Sequence, residues 1–172
     1  RAAALLGHPL GLSSRQGRGT VFMLQVPLAD GMVPEERPAF AALPGRSVEG
    51  RIVLLVENDA ELRRAMVLFL EKWGVAVIEA SSGEEALALI EDLGILPDAL
   101  IADQQLGAGM SGLETLVALR ARAPDLPARL LSADRGEGLR EAATAAGMGL
   151  LIKPVQPEAI YAFLAATTTK EP

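Results

Sequence analysis

The sequence contains no cysteine and a single histidine, His8. Without thiols there is no disulfide framework, no thiolate zinc site and no redox chemistry on the protein itself, and a reducing cytoplasm is compatible with the chain. No apolar run approaches the roughly 18 residues that a membrane-spanning helix needs. The opening residues RAAALLGHPL lack an initiating Met and the basic and apolar regions of a secretory signal, so the chain reads as a soluble, cytoplasmic segment of a longer protein. An excess of positive charge is missing as well. The net charge is -6, and residues 52–172 carry 10 Lys and Arg against 18 Asp and Glu, which disfavours direct contact with nucleic acid.

What is present is a chain of 172 residues with 50% hydrophobic composition, enough for one full core and a remnant. Residues 27–50 hold four prolines and follow neither a period of 2 nor one of 3.6, as a linker does. Ahead of them, residues 10–26 read as two strands around a Gly-rich turn at Gly17 to Gly19, with Val21 and Met23 alternating against Phe22 and Leu24. A lone hairpin is marginal in water, so this piece belongs with a larger sheet. From Arg51 onward, near-continuous apolar runs at 52–57, 75–80, 98–103, 128–132 and 149–153 alternate with helical patterns. Leu62, Met66, Phe69, Leu70 and Trp73 share one helical stripe, Ala86, Leu87, Ile90 and Leu93 another, and Ile160, Phe163 and Leu164 a third. The prediction is an α/β fold with a five-stranded parallel sheet, helices on both faces, and a site at the carboxyl ends of the strands.

Those ends carry the chemistry. The first run closes on Glu57, Asn58 and Asp59, the third on Asp103, the fourth on Ser132 and the fifth on Lys153 before Pro154. Two carboxylates about 4 Å apart repel by roughly 4 kcal/mol at an effective dielectric near 20, so the cluster needs cations. Lys153 supplies one charge, and an all-oxygen donor set without His or Cys favours magnesium for the rest. Gly107, Gly109 and Gly112 also spell G-x-G-x-x-G, the fingerprint of a dinucleotide turn. They lie in the third unit, where a pyrophosphate would meet acids, so the glycines are assigned to turning the chain.

This ordered set resembles the receiver domains of two-component phosphorelays over residues 51–168, with a tail at 169–172. The resemblance implies a flavodoxin-like (βα)5 fold in which Asp103 accepts a phosphoryl group from a phosphohistidine, Lys153 holds a phosphoryl oxygen, and Ser132 hydrogen-bonds it and relays the change. It implies a Mg2+ held by Glu57, Asn58, Asp103 and the carbonyl of Gln105, and a cis bond between Lys153 and Pro154. Residues 1–28 resemble the last hairpin of the ATP-binding domain of histidine kinases. Its asparagine-bearing helix and glycine loops are absent from this sequence, so no ATP site is complete here. A kinase end, a linker at 29–50 and a receiver make the order of a hybrid histidine kinase. The implied partners are a kinase core or a histidine phosphotransfer protein, and a homodimer is compatible with the resemblance.

The sequence departs from the family at three places. Asn58 stands where a metal-binding Asp is usual, Leu150 replaces the switch aromatic, and the Asp103 to Gly112 loop is one residue longer than the common pattern. The first departure raises an alternative, a pseudo-receiver that binds partners without being phosphorylated. An aspartyl phosphatase is disfavoured by Gln105 where an Asp is expected, and a flavin site by ENDAEL after the first strand. Gln105 and Asp134 sit where similar proteins tune acyl-phosphate lifetime. Asp59 also suits the N-cap of the first helix, Ser132 a turn cap, and His8 a surface position. Glu84, Glu85, Glu91 and Asp92 read as a solvated helix face.

Overall fold

The computed structural model describes residues 7–15, 19–25 and 47–167. The centre of the Gly-rich turn, most of the linker and the tail lie outside the described residues. Two compact units divide at Ala39 and Phe40. In the first, β1 (Leu10–Arg15) and β2 (Gly19–Leu24) form an antiparallel hairpin with Leu12 opposite Phe22. Its alternation is as read from sequence, yet residues on both faces are open, including Leu12, Met23 and Phe22, which is 72% exposed.

The second unit holds β3 (Ile52–Val56), α1 (Ala60–Glu71), β4 (Ala76–Ala80), α2 (Gly83–Leu93), β5 (Ala99–Asp103), α3 (Gly112–Leu119), β6 (Ala128–Ser132), α4 (Glu137–Ala145), β7 (Gly149–Ile152) and α5 (Pro157–Ala166). All five strands are parallel, in the order β4-β3-β5-β6-β7. The order reverses between β3 and β5, and the carboxyl ends of strands at such a reversal are the usual ligand position in these sheets.

Strand alternation distributes the core between two faces. Leu54, Val56, Leu100, Ala102 and Leu130 pack with Ala86 and Ile90 of α2, Leu116 and Leu119 of α3 and Ala143 of α4. Val53, Leu55, Ile101 and Leu131 pack with Leu70 of α1 and Ile160, Phe163 and Leu164 of α5. Each fully buried leucine contributes roughly 2 kcal/mol. The expectation that every strand is buried on both faces fails at the rims. β7 is half-buried throughout, and β4 exposes Ala76 and Glu79, because edge strands have a neighbour on one side only. Leu62 and Leu93, assigned to apolar stripes, are also exposed. Val48, placed at the end of the linker by its sequence, is 2% exposed and belongs to the second core cluster, so the packed body begins ahead of Arg51.

Helix starts follow local chemistry. Asp59 caps α1, its carboxylate accepting the N–H groups of Glu61 and Leu62 at 2.9 Å each. Ser82 caps α2, and Ser111 with Glu114 forms a capping box on α3. Among the described residues, no helix is long and apolar enough to cross a membrane.

Candidate functional site

Three strands deliver charged side chains to one edge. Glu57 follows β3 and is 1% exposed, and Asp103 ends β5 and is 7% exposed. Lys153, next after β7, reaches both, with Nζ 3.2 Å from Glu57 Oε2 and 3.0 Å from Asp103 Oδ2. The Lys153–Pro154 peptide is cis. Burial pushes the Lys153 ammonium toward a lower pKa, but hydrogen bonds and charge from Asp103, and then from Glu57, more than offset it. The net direction is upward. Two carboxylates against one ammonium leave a net negative charge at a nearly buried place.

The backbone fixes the donors. Glu57 Oε1 accepts the Asp59 N–H at 3.1 Å, while Arg63 of α1 donates to the Glu57 carbonyl at 2.6 Å and reaches Glu79 at 3.3 Å. Arg63 was not singled out from sequence, because its partners are contributed by another strand and by a main-chain oxygen. Ser132 ends β6, 3% exposed, and its carbonyl accepts the Lys153 N–H at 2.8 Å. Its Oγ accepts the Asp134 N–H at 3.0 Å, so it does cap the following turn, as a hydroxyl there can. Asp134 in turn accepts the Gly136 N–H at 2.7 Å.

Asn58 is exposed at the rim, and a Cβ placed on Gly107 would lie 3.8 Å from its Nδ2. Asn58 therefore faces the β5–α3 loop, whose Gln105 side chain is exposed. Asp59 is engaged in capping α1. Leu150 packs against the first core cluster as an ordinary aliphatic residue. His8 is half-buried at the start of the hairpin unit.

The glycines of the G-x-G-x-x-G match have local work. Gly107 and Gly109 adopt φ of +87° and +108°, a region that side chains disfavour. At Gly112 a Cβ would collide with the Asp103 carbonyl oxygen and come 2.8 Å from Leu130 Cδ1. The loop thus folds against its own strand. Glu84, Glu85, Glu91 and Asp92 are all exposed, as a solvated helix face requires, and three of them also hold partners: Glu85 accepts the Ser81 N–H at 2.7 Å, Glu84 accepts the Met110 N–H at 2.8 Å, and Glu91 pairs with Arg122 at 3.1 Å.

A five-stranded parallel sheet with this strand order and helices on both faces is the flavodoxin-like fold of receiver proteins. Residues 53–165 match the family model described as the response regulator receiver domain, and the chain belongs to that family. The solved structure of the chemotaxis protein CheY4 of Vibrio cholerae superposes with a TM-score of 0.62 at 26% identity, covering 69% of this chain and 98% of that one. The sensor histidine kinase AruS of Pseudomonas aeruginosa is 30% identical over 177 residues, and the alignment takes in 100% of this chain. The sensor kinase CckA of Brucella abortus is 32% identical over 168 residues, or 92% of this chain. The chain spans 17% of the length of each of these kinases.

Proposed function

We propose that this chain is the receiver module of a hybrid histidine kinase and that Asp103 is its phosphoacceptor. The observation that carries the reading is the placement of the Asp103 and Glu57 carboxylates at 3.0 and 3.2 Å from one Lys153 ammonium, at the strand ends beside the reversal of strand order. Support for the hybrid context comes from AruS, whose similarity runs through the hairpin as well as the receiver. The hairpin's exposed apolar faces also suit a strand pair taken from a larger sheet. On this reading residues 1–28 are a kinase remnant, 29–50 a linker and 51–168 the receiver.

The chemistry is covalent transfer to a carboxylate. A lone pair on an Asp103 carboxylate oxygen forms the new O–P bond while the P–N bond of a phosphohistidine breaks, and its electron pair returns to the imidazole of the donor. The product is an acyl phosphate and a free histidine on the partner, a kinase core or a histidine phosphotransfer protein. Lys153 neutralises charge on the incoming oxygens, and Ser132, on the adjacent strand, offers a hydroxyl to one of them. The all-oxygen donors and residual negative charge fit a hard divalent cation, with Glu57, Asp103, the Asn58 amide oxygen and the Gln105 carbonyl to hold it. Bound Mg2+ would spread the charge of the transferring phosphoryl oxygens. The buried carboxylate pair bridged by Lys153 supports the acceptor reading over the interaction-only reading that Asn58 raised.

The test is intact mass after incubation with acetyl phosphate, with and without Mg2+, on the native chain and Asp103→Asn. A metal-dependent gain of one phosphoryl group, about 80 Da, in the native chain only is expected. No adduct under conditions that label a control receiver would overturn the reading.

A further inference from the structure

The β5–α3 loop, residues 104–111, is the segment that carries Gln105 toward the site. It benefits from an external brace, because it contains two glycines at positive φ, Gly107 and Gly109, which do little to fix the chain's path. Leu106, 5% exposed, plugs its first half into the core. The second half is held from α2. Glu84 Oε1 accepts the Met110 N–H at 2.8 Å, across 26 positions of sequence. Gly109 lies against the same carboxylate, so that a Cβ there would stand 2.5 Å from Oε1. Next to it, Gly83 fits beneath the loop where a Cβ would come 2.9 Å from Met110 Cβ and would collide with Thr115 of α3. The start of α2 and the loop are therefore interlocked at two close approaches and one charge-assisted hydrogen bond. Donation from its own N–H and from Met110 also holds the Glu84 carboxyl below the usual carboxylate range, so the acceptor stays ionised at neutral pH.

We propose that Glu84 is a positioning residue for the phosphoacceptor site: by anchoring Met110 it fixes the glycine-bearing loop, and with it the Gln105 carbonyl and the face turned toward Asn58. The inference rests on the receiver function proposed above. Glu84 does not touch the reacting atoms. It acts on the metal-binding side of the site, where the amide at Asn58 leaves less charge to organise a cation and the loop carbonyl matters correspondingly more.

The experiment uses the full chain with Glu84→Ala, which removes the acceptor, and Glu84→Gln, which keeps an oxygen in place. Exchange of the Met110 amide with solvent deuterium, followed by NMR, reads the anchor directly. Glu84→Ala is expected to lose about fivefold in protection at Met110 and to weaken Mg2+ binding, measured by calorimetry, by about three- to tenfold. Its acetyl phosphate labelling at limiting Mg2+ falls by the same factor and recovers at saturating Mg2+, while Glu84→Gln stays within about twofold of native throughout. Unchanged Met110 exchange and Mg2+ affinity in Glu84→Ala overturns the proposal. So does equal damage in both variants with a lowered melting temperature, which would mean a general loss of fold. Failure of the native chain to be labelled on Asp103 would instead sink the function itself, and the Met110 exchange comparison distinguishes that case.

Discussion

Replacing Lys153 by Met removes the ammonium that touches both Glu57 and Asp103 while keeping an aliphatic stem of similar length. The oxygens of Glu57 and Asp103 that it bridges lie 3.2 and 3.0 Å from the same nitrogen, so they can be no more than about 6 Å apart. At an effective dielectric of about 20, two bare charges at that separation repel by roughly 3 kcal/mol. Deleting one member of a buried ion pair typically costs about 3–5 kcal/mol, and the 26% exposure of the Lys153 side chain argues for the lower part of that range. We therefore expect Lys153→Met to lose about 3 kcal/mol in urea unfolding at pH 7.5 without metal, with an unchanged slope. The pH dependence has a definite sign. The folded-state pKa of Lys153 lies above its ordinary 10.5, so its stabilisation is complete below that value and disappears as pH rises through the folded value. The difference between native and variant should then be constant from pH 7 to about 10 and shrink only at more alkaline pH. A loss under about 0.5 kcal/mol, or a difference that closes already between pH 7 and 9, would refute the claim that this ammonium neutralises the pair.

Two further outcomes follow from the loop and the rim. Gly112→Ala should cost about 3 kcal/mol, since its Cβ meets the Asp103 carbonyl and Leu130, neither of which can retreat without moving a core strand. A urea melt within about 0.5 kcal/mol of native would show that the close approach is not real. Asn58→Asp adds a carboxylate at the exposed rim of the site and should tighten Mg2+ binding by about three- to tenfold in calorimetry, while the metal-free protein is no more stable than native. Equal or weaker Mg2+ binding would remove Asn58 from the metal shell.

The gathering of the candidate site was legible where its residues are strand ends, and illegible where contacts cross elements. Asp103, Ser132 and Lys153 each terminate or follow an apolar run, and in a parallel sheet the ends of successive strands share one edge, so order along the chain becomes proximity in space. The core stripes of α2 and α5 were legible for a similar reason, since the 3.6 period is written in the sequence itself. The same reasoning over-buried Leu62 and Leu93, because periodicity gives the direction of a side chain and not what lies opposite it. Rim strands deceived in the same way: GLLI has the composition of a central strand, and only the strand order reveals that one side of β7 is open. Glu84 is the sharpest case. In isolation a Glu in the first turn of a helix is explained by the helix dipole and by water, and nothing in its neighbours separates it from Glu85. Its partner is a main-chain N–H, which every residue except proline possesses and no sequence pattern marks. What could have pointed to it is the loop rather than the acid. A segment with Gly107 and Gly109 at positive φ has few local determinants of its shape, and such a loop borrows them from a neighbouring element, here the Glu84 carboxylate on the Met110 N–H.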